Sequence, residues 1–220
     1  WAGRLRVLFV SSDRDEASFN EYFAEMPWLA LPYSDRKAKG ALSNMFDVSG
    51  IPTLVTIAPD GTVINKSARG PVAQDPTGAN FPWPPAPLED LEGGVECNGF
   101  DINEKPALIV LCDGADQTIK DEVTAALLPI ATEMAEAGKG AEDGPDCIFF
   151  TGKQAGGVVP RIRDLTGLTE VPATAQMIML DIPDNGGFYV AGDVPVNAEN
   201  IRGFLEGYKN KSLSRQQLKS

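Results

Sequence analysis

The stretch SGIPTLV, residues 49–55, decides how this chain is read. A small-residue turn runs into an Ile-Pro-Thr step and then into an apolar strand. Proline cannot donate a ladder hydrogen bond, so in a sheet it belongs at a strand's first residue, on an edge or at a bulge. An X-Pro bond also takes the cis form at small cost, and a cis bond kept in a fold is a built feature. Pro52 is therefore expected at the mouth of a strand over 53–58, where a cis-proline and an ordinary strand-start proline both stay open. Before it, Ala38, Leu42, Met45 and Phe46 share one helical face that fades at Ser49-Gly50. After it, Pro59-Asp60-Gly61 signals a turn and 62–64 a returning strand.

Further out, the same logic divides the chain. The run LRVLFV at 5–10 fits a fully buried strand. Asp13 with Glu16 makes a capping-box pattern, followed by a helical stripe of Phe19, Tyr22, Phe23 and Met26 that Pro27 ends. From Pro71 to about Asn103 the composition shifts. FPWPPAPLEDLEGG, residues 81–94, carries four prolines in its first seven residues and reads as a stiff, partly extended connector. A second unit opens with a strand at 107–112 and a helical stripe of Ile119, Val123, Leu127, Ile130 and Met134, with Pro129 as a kink. A strand at 147–151, a short helix near 159–165 and Val171-Pro172-Ala173-Thr174 come next. The Val171-Pro172 step leads into a strand at 175–180, a Pro183-Asp184-Asn185-Gly186 turn and a return at 188–190. Ile201, Phe204, Leu205 and Tyr208 give a closing helix capped by Asn197, and 212–220 reads as a frayed tail.

Both units run strand, helix, X-Pro step, strand, turn, strand. The expected organisation is an α/β fold of two tandem domains: 1–81, a connector at 82–103, a second domain at 104–213 and a tail at 214–220. The first domain lacks a front β-α pair, because four residues precede its first strand. That leaves unpaired sheet edges for a partner to cover.

Composition excludes several chemistries. Among 220 residues there is no histidine, and net charge is −12. The first removes Ser-His and Cys-His nucleophile pairs, and the second argues against nucleic acid as a partner. No apolar run approaches the ~20 residues of a membrane span. The cysteines, Cys97, Cys112 and Cys147, form no CxxC and no zinc spacing. Cys112 and Cys147 read as buried structural thiols, with a disulfide between them not indicated. Cys97 lies in a segment expected to be exposed. There it is a poor nucleophile beside Glu96 but open to adventitious oxidation. The opening Trp1-Ala2-Gly3-Arg4 shows no signal peptide.

The sequence VLFVSSDRDEASFNEYFAEMPWLALPY at 7–33, followed by GIPTLV, PDG and FPWPP, closely resembles the nucleoredoxin and tryparedoxin branch of the thioredoxin superfamily. The resemblance is strong over about residues 5–90, and residues 104–213 resemble a thioredoxin-like domain in pattern only. It implies two thioredoxin-like domains and a protein thiol-disulfide oxidoreductase needing no bound cofactor. In such proteins a Trp-Cys-x-x-Cys faces the cis-proline loop, a pair this sequence does not contain. Residues Ile51, Pro52 and Thr53 would then bind the substrate peptide. In the second unit the corresponding positions, Ala115 to Thr118, hold no cysteine, so that unit is expected to be redox-inactive. Two readings stay open. One is a reductase of protein disulfides whose cysteines lie upstream. The other is a non-catalytic scaffold or subunit that binds a protein partner in a larger assembly. The resemblance implies a cytoplasmic or nuclear protein, and a plastid-like organelle also fits the composition.

Overall fold

The computed structural model describes residues 5–48, 50–139, 141 and 143–219. Ser49 and the opening four residues lie outside them. The chain divides into two compact units, Trp1–Val55 and Thr56–Ser220.

In the first unit, β1 (Leu8–Phe9) and β2 (Leu29–Ala30) pair in parallel, with α1 (Glu16–Phe23) as the crossover between them. The helix cap is Asp15, whose Oδ1 accepts from Ser18 N at 2.8 Å. The expected capping residue, Asp13, instead accepts from the Ser11 hydroxyl at 2.5 Å. The apolar stripe does what its spacing requires. Phe19 is buried and stacks on Phe23 at 5.6 Å and on Phe9 at 6.1 Å. The next helix, α2 (Arg36–Met45), is capped by Asp35 and buries no residue. Ala38 and Leu42 are half-buried on it, whereas Met45, expected on the same face, points outward at 65% exposure.

The second unit opens with the antiparallel hairpin β3 (Thr56–Ile57) and β4 (Val63–Asn65). Its turn is the Pro-Asp-Gly signal at work: Gly61 takes φ 92°, and Asp60 Oδ1 accepts from Thr62 N at 2.9 Å. A short helix, α3 (Arg69–Gln74), leads to the FPW segment, where Phe81–Pro82 is cis. Then come β5 (Glu89–Asp90), the hairpin β6 (Glu96–Cys97) and β7 (Phe100–Asp101), and β8 (Ala107–Leu111). Next follow α4 (Gln117–Ala137), β9 (Ile148–Gly152), α5 (Val159–Thr166) and β10 (Gln176–Asp181). The chain closes with β11 (Gly187–Val190), α6 (Ala198–Lys209) and β12 (Gln216–Gln217). The principal sheet has the order β12-β11-β10-β8-β9-β5. Within it β8, β9 and β5 are parallel, and β10 runs antiparallel to β8 and β11.

Both faces of this sheet are covered, which explains why β8 and β9 read as unbroken apolar runs. Leu108, Val110, Phe149 and Met177 face one core with Leu127, Ile130 and Ile201. The alternate residues Ile109, Leu111, Phe150 and Ile178 face the other with Leu91 and Ile162. The helix α4 runs through Pro129 without interruption, and Asn197 caps α6, as its position requires.

Two expected segments differ. The connector at 82–103 is not open chain: β5 pairs with β9, and Trp83, Leu91, Cys97 and Ile102 are buried. Proline-rich composition set the backbone extended there, and apolar side chains at intervals then seated it in the core. The tail is also ordered. β12 extends the sheet beside β11, Arg215 Nε donates to Asp184 Oδ2 at 2.7 Å, and Lys219 N donates to Leu165 O at 2.9 Å.

Candidate functional site

The proline loop leaves α2 through a left-handed turn. Asp47 has φ 53°, a conformation Asp tolerates better than most residues, and Val48 N donates to Ser43 O at 2.8 Å. The Ile51–Pro52 bond is cis. Thr53 Oγ1 donates back to Gly50 O at 2.6 Å and closes the loop. Ile51 is 73% exposed, and Pro52 and Thr53 are exposed with it. Among the described residues the backbone N–H and C=O groups of Ile51 and Thr53 have no partner. The loop thus presents an apolar side chain beside open main-chain groups, the combination that an extended peptide pairs with.

At the carboxyl ends of β1 and β2 a polar knot fixes the neighbouring loop. Arg36 Nη1 donates to Ser11 O at 3.2 Å and its Nε to Tyr33 O at 2.5 Å. The guanidinium lies 4.0 Å above the Tyr33 ring. Sequence reading missed this arrangement, because Asp13 looked like a helix-capping residue and nothing in the sequence linked Ser11 or Tyr33 to Arg36.

All three thiols are free and buried. Burial pushes the Cys97 thiol up to about 12, Cys147 to about 12 and Cys112 to about 11. Cys97, expected to be exposed, is 1% exposed. Its Sγ lies 3.5 Å from Pro87 O and 3.6 Å from Ala86 O. Register keeps Cys112 and Cys147 apart. Ala107 pairs with Ile148 and Leu111 with Gly152, so Cys147 precedes the ladder that Cys112 follows. A thiolate is the reactive form, and none of these thiols supplies one near neutral pH.

The corresponding end of the second unit is closed. Val171–Pro172 is not cis, unlike its counterpart at Ile51–Pro52. Its loop sits so close to Gly114 that a Cβ there would lie 2.5 Å from Pro172 O. Arg163 holds that loop in place. Its Nη1 donates to Leu168 O, Glu170 O and Gln176 Oε1 at 2.9, 3.1 and 2.8 Å. Its Nε and Nη2 fork onto the Asp113 carboxylate. The positions Ala115 to Thr118 lead into the first turn of α4, with Asp116 as its cap, its Oδ1 accepting from Ile119 N at 3.0 Å. A buried ion pair and a helix cap occupy this end of the second unit.

One carboxylate is displaced from its ordinary range. Burial, helped by the neighbouring Asp90, raises Glu89 to about 7. Protonated Glu89 is the better-tolerated form in the folded chain, so stability falls as pH rises from about 4.5 through 7. Glu89→Gln is expected to stabilise the protein by about 1–2 kcal/mol at pH 8, after allowing for partial exposure. At pH 4 it should change little, and denaturant midpoints at the two values check this.

The sheet order and the exposed cis-proline loop define a thioredoxin-like α/β protein. A thioredoxin-like family model matches residues 2–63. The chain is similar to the nucleoredoxin and tryparedoxin branch of the thioredoxin superfamily. It is 30% identical to nucleoredoxin of Xenopus laevis over 210 residues, 96% of this chain and 49% of that protein. It is 46% identical to tryparedoxin of Trypanosoma brucei brucei over 84 residues, 38% of this chain and 58% of that protein. Among solved structures, tryparedoxin from Trypanosoma brucei is 46% identical with a TM-score of 0.36, covering 38% of this chain and 58% of that one. The chain spans 40–49% of the nucleoredoxins it matches first. Among the described residues no helix is long and apolar enough to cross a membrane.

Proposed function

We propose that these residues belong to a protein thiol-disulfide oxidoreductase whose reactive cysteine pair lies outside residues 1–220. In this reading Ile51, Pro52 and Thr53 form the wall that binds the substrate peptide. The observation that carries it is the pairing of an open cis-proline loop with three thiols that are all buried and raised in pKa. The loop binds, and the sulfur chemistry comes from elsewhere. An attacking thiolate would form a mixed disulfide with one substrate sulfur and release the other as a thiolate. The second cysteine would then displace the substrate, leaving the enzyme disulfide for a separate reductase to reduce.

The chain is organised, in this proposal, as two tandem thioredoxin-like domains, the first incomplete at its front and the second inactive. The order of the principal sheet and the closed Arg163–Asp113 end support the description of the second. The likeness to nucleoredoxins carries the cytoplasmic or nuclear placement and a protein substrate as parts of the same proposal. The expected result is that the 220-residue chain reduces no protein disulfide. In addition, a thiol reagent should leave Cys97, Cys112 and Cys147 unlabelled until the chain unfolds. Turnover by this chain alone would overturn the placement of the cysteine pair.

A second reading, a non-catalytic subunit that docks a partner strand, rests on a different observation. Leu8 and Leu29 are register partners, yet they are 53% and 62% exposed. Among the described residues β1 and β2 pair only with each other, which leaves edge groups for an added strand. Hydrogen exchange separates the two readings. Protection, in the isolated monomer, of the β1 and β2 amides that take no part in their mutual pairing would count against strand docking.

A further inference from the structure

A half-open recess of about 210 Å³ lies beside α5 in the second unit. The residues Val158, Ile162 and Leu165 line it, positions i, i+4 and i+7 of one helical face. Arg161 takes the i+3 position of that face and lines the same recess. The spacing calls for an apolar side chain there. The residue is instead an exposed cation, and among the described residues it has no hydrogen bond or ion pair. Its helix neighbour Arg163 shows the contrast, being buried against Asp113.

The other walls come from distant parts of the chain. Ile102 follows the β6–β7 hairpin and forms a buried floor with Ile162. Leu218 closes one side from the tail, where its N–H donates to Gly186 O at 3.0 Å. The recess therefore depends on the two segments that sequence reading took for connector and frayed end. Its volume matches about seven water-sized groups at about 30 Å³ each, below the usual size of a drug-like pocket. An apolar floor with one unpaired cation at the rim suits a short hydrocarbon that ends in a single negative charge. In a chain of net charge −12, the charged side chain that lines this recess is the cation of Arg161, which gives the recess its sign.

We propose that this recess binds a medium-chain fatty carboxylate, with the hydrocarbon against Ile102 and Ile162 and the carboxylate on the Arg161 guanidinium. The test is a titration of the isotope-labelled 220-residue chain with octanoate, followed by amide resonances. Saturable shifts are expected for residues 158–165 and for Leu218. Arg161→Gln, an exposed change that leaves the core intact, should weaken binding about tenfold or more. Octylammonium has the same hydrocarbon and the opposite charge, and should produce no saturable shift at these residues. The proposal is overturned by equal binding of octylammonium or by unchanged affinity in Arg161→Gln. Octanoate shifts scattered over other surfaces, or none below its self-association concentration, would also overturn it.

Discussion

Arg163→Ala is expected to destabilise the second unit by about 3–5 kcal/mol, because it strands a buried carboxylate. The Asp113 side chain is 1% exposed and that of Arg163 is 6%. The planar guanidinium satisfies both carboxylate oxygens and three further acceptors ahead of and within β10. Removing it leaves Asp113 charged without a counterion and two loop carbonyls without a donor. The melting temperature should fall by about 10 °C. Arg163→Lys should recover little, since an ammonium cannot reproduce the fork. The double change Asp113→Leu with Arg163→Met should recover much of the loss, because it removes both charges together. Urea unfolding of the three variants checks this. A single variant within about 1 kcal/mol of the parent would show that the pair is not needed to hold the closed end.

Trp83→Ala carries a comparable expectation, a loss of about 3–5 kcal/mol for truncating a buried tryptophan. Trp83 sits at φ 55° after the cis Phe81–Pro82 bond. It is buried at 7% exposure, with the Phe81 ring edge-on at 5.1 Å. Its Nε1 donates to Asp75 Oδ2 at 3.0 Å, and its carbonyl accepts from Asn65 Nδ2 at 2.9 Å. Asp75 also accepts from Ala79 N, Asn80 N and Thr77 Oγ1. Trp83→Phe should cost less, since it keeps most of the ring volume and removes one donor. The Asp75 carboxyl adds a pH signature. Burial works to raise it, but the hydrogen bonds from Asn80, Trp83, Ala79 and Thr77 outweigh burial and hold it below its ordinary value of 3.8. A depressed carboxylate contributes stability above its unfolded pKa and loses it as pH falls through the folded one. On acidification below about pH 4 the parent should therefore lose stability more steeply than Asp75→Asn. Parallel acid-unfolding curves for the two proteins would refute the role given to this carboxylate.

The elements that came straight from the sequence have local causes. Phe19 and Phe23 recur at helical spacing, and they stack. Pro59-Asp60-Gly61 carries its own turn chemistry and turns. Asn197 caps α6 through its own side chain. The strands β8 and β9 were legible because both sheet faces are covered, which calls for the apolar runs 107–111 and 148–150. Pro52 was legible because a proline at that point of an apolar run has few places to go.

Other features were hidden because their partners are remote in sequence. Glu89 and Asp90 lie in a stretch of prolines and acids, and only β9, some 60 residues later, makes them a strand. Gln216 and Gln217 look like tail until β11 offers an edge. Cys97 sits between Glu96 and Asn98, which reads as surface, yet the folded core closes over it. Pro172 matches Pro52 in local pattern and differs in outcome, because Arg163 and Gly114 set the loop that carries it.

By itself the sequence determined the α/β class, the positions of the helices other than α3, the principal turns, the proline loop and the absence of a reactive cysteine pair. These depend on the periodicity of neighbouring residues or on residue types being present at all. Tertiary structure alone decided that the connector and tail are strands, that Cys97 is sealed and that Asp113 pairs with Arg163. It also decided that Arg161 has no partner among the described residues. Each of these depends on which distant backbone edge or buried charge meets the residue. Such a meeting is set by the free energy of packing the whole unit, and no local pattern of residues carries it.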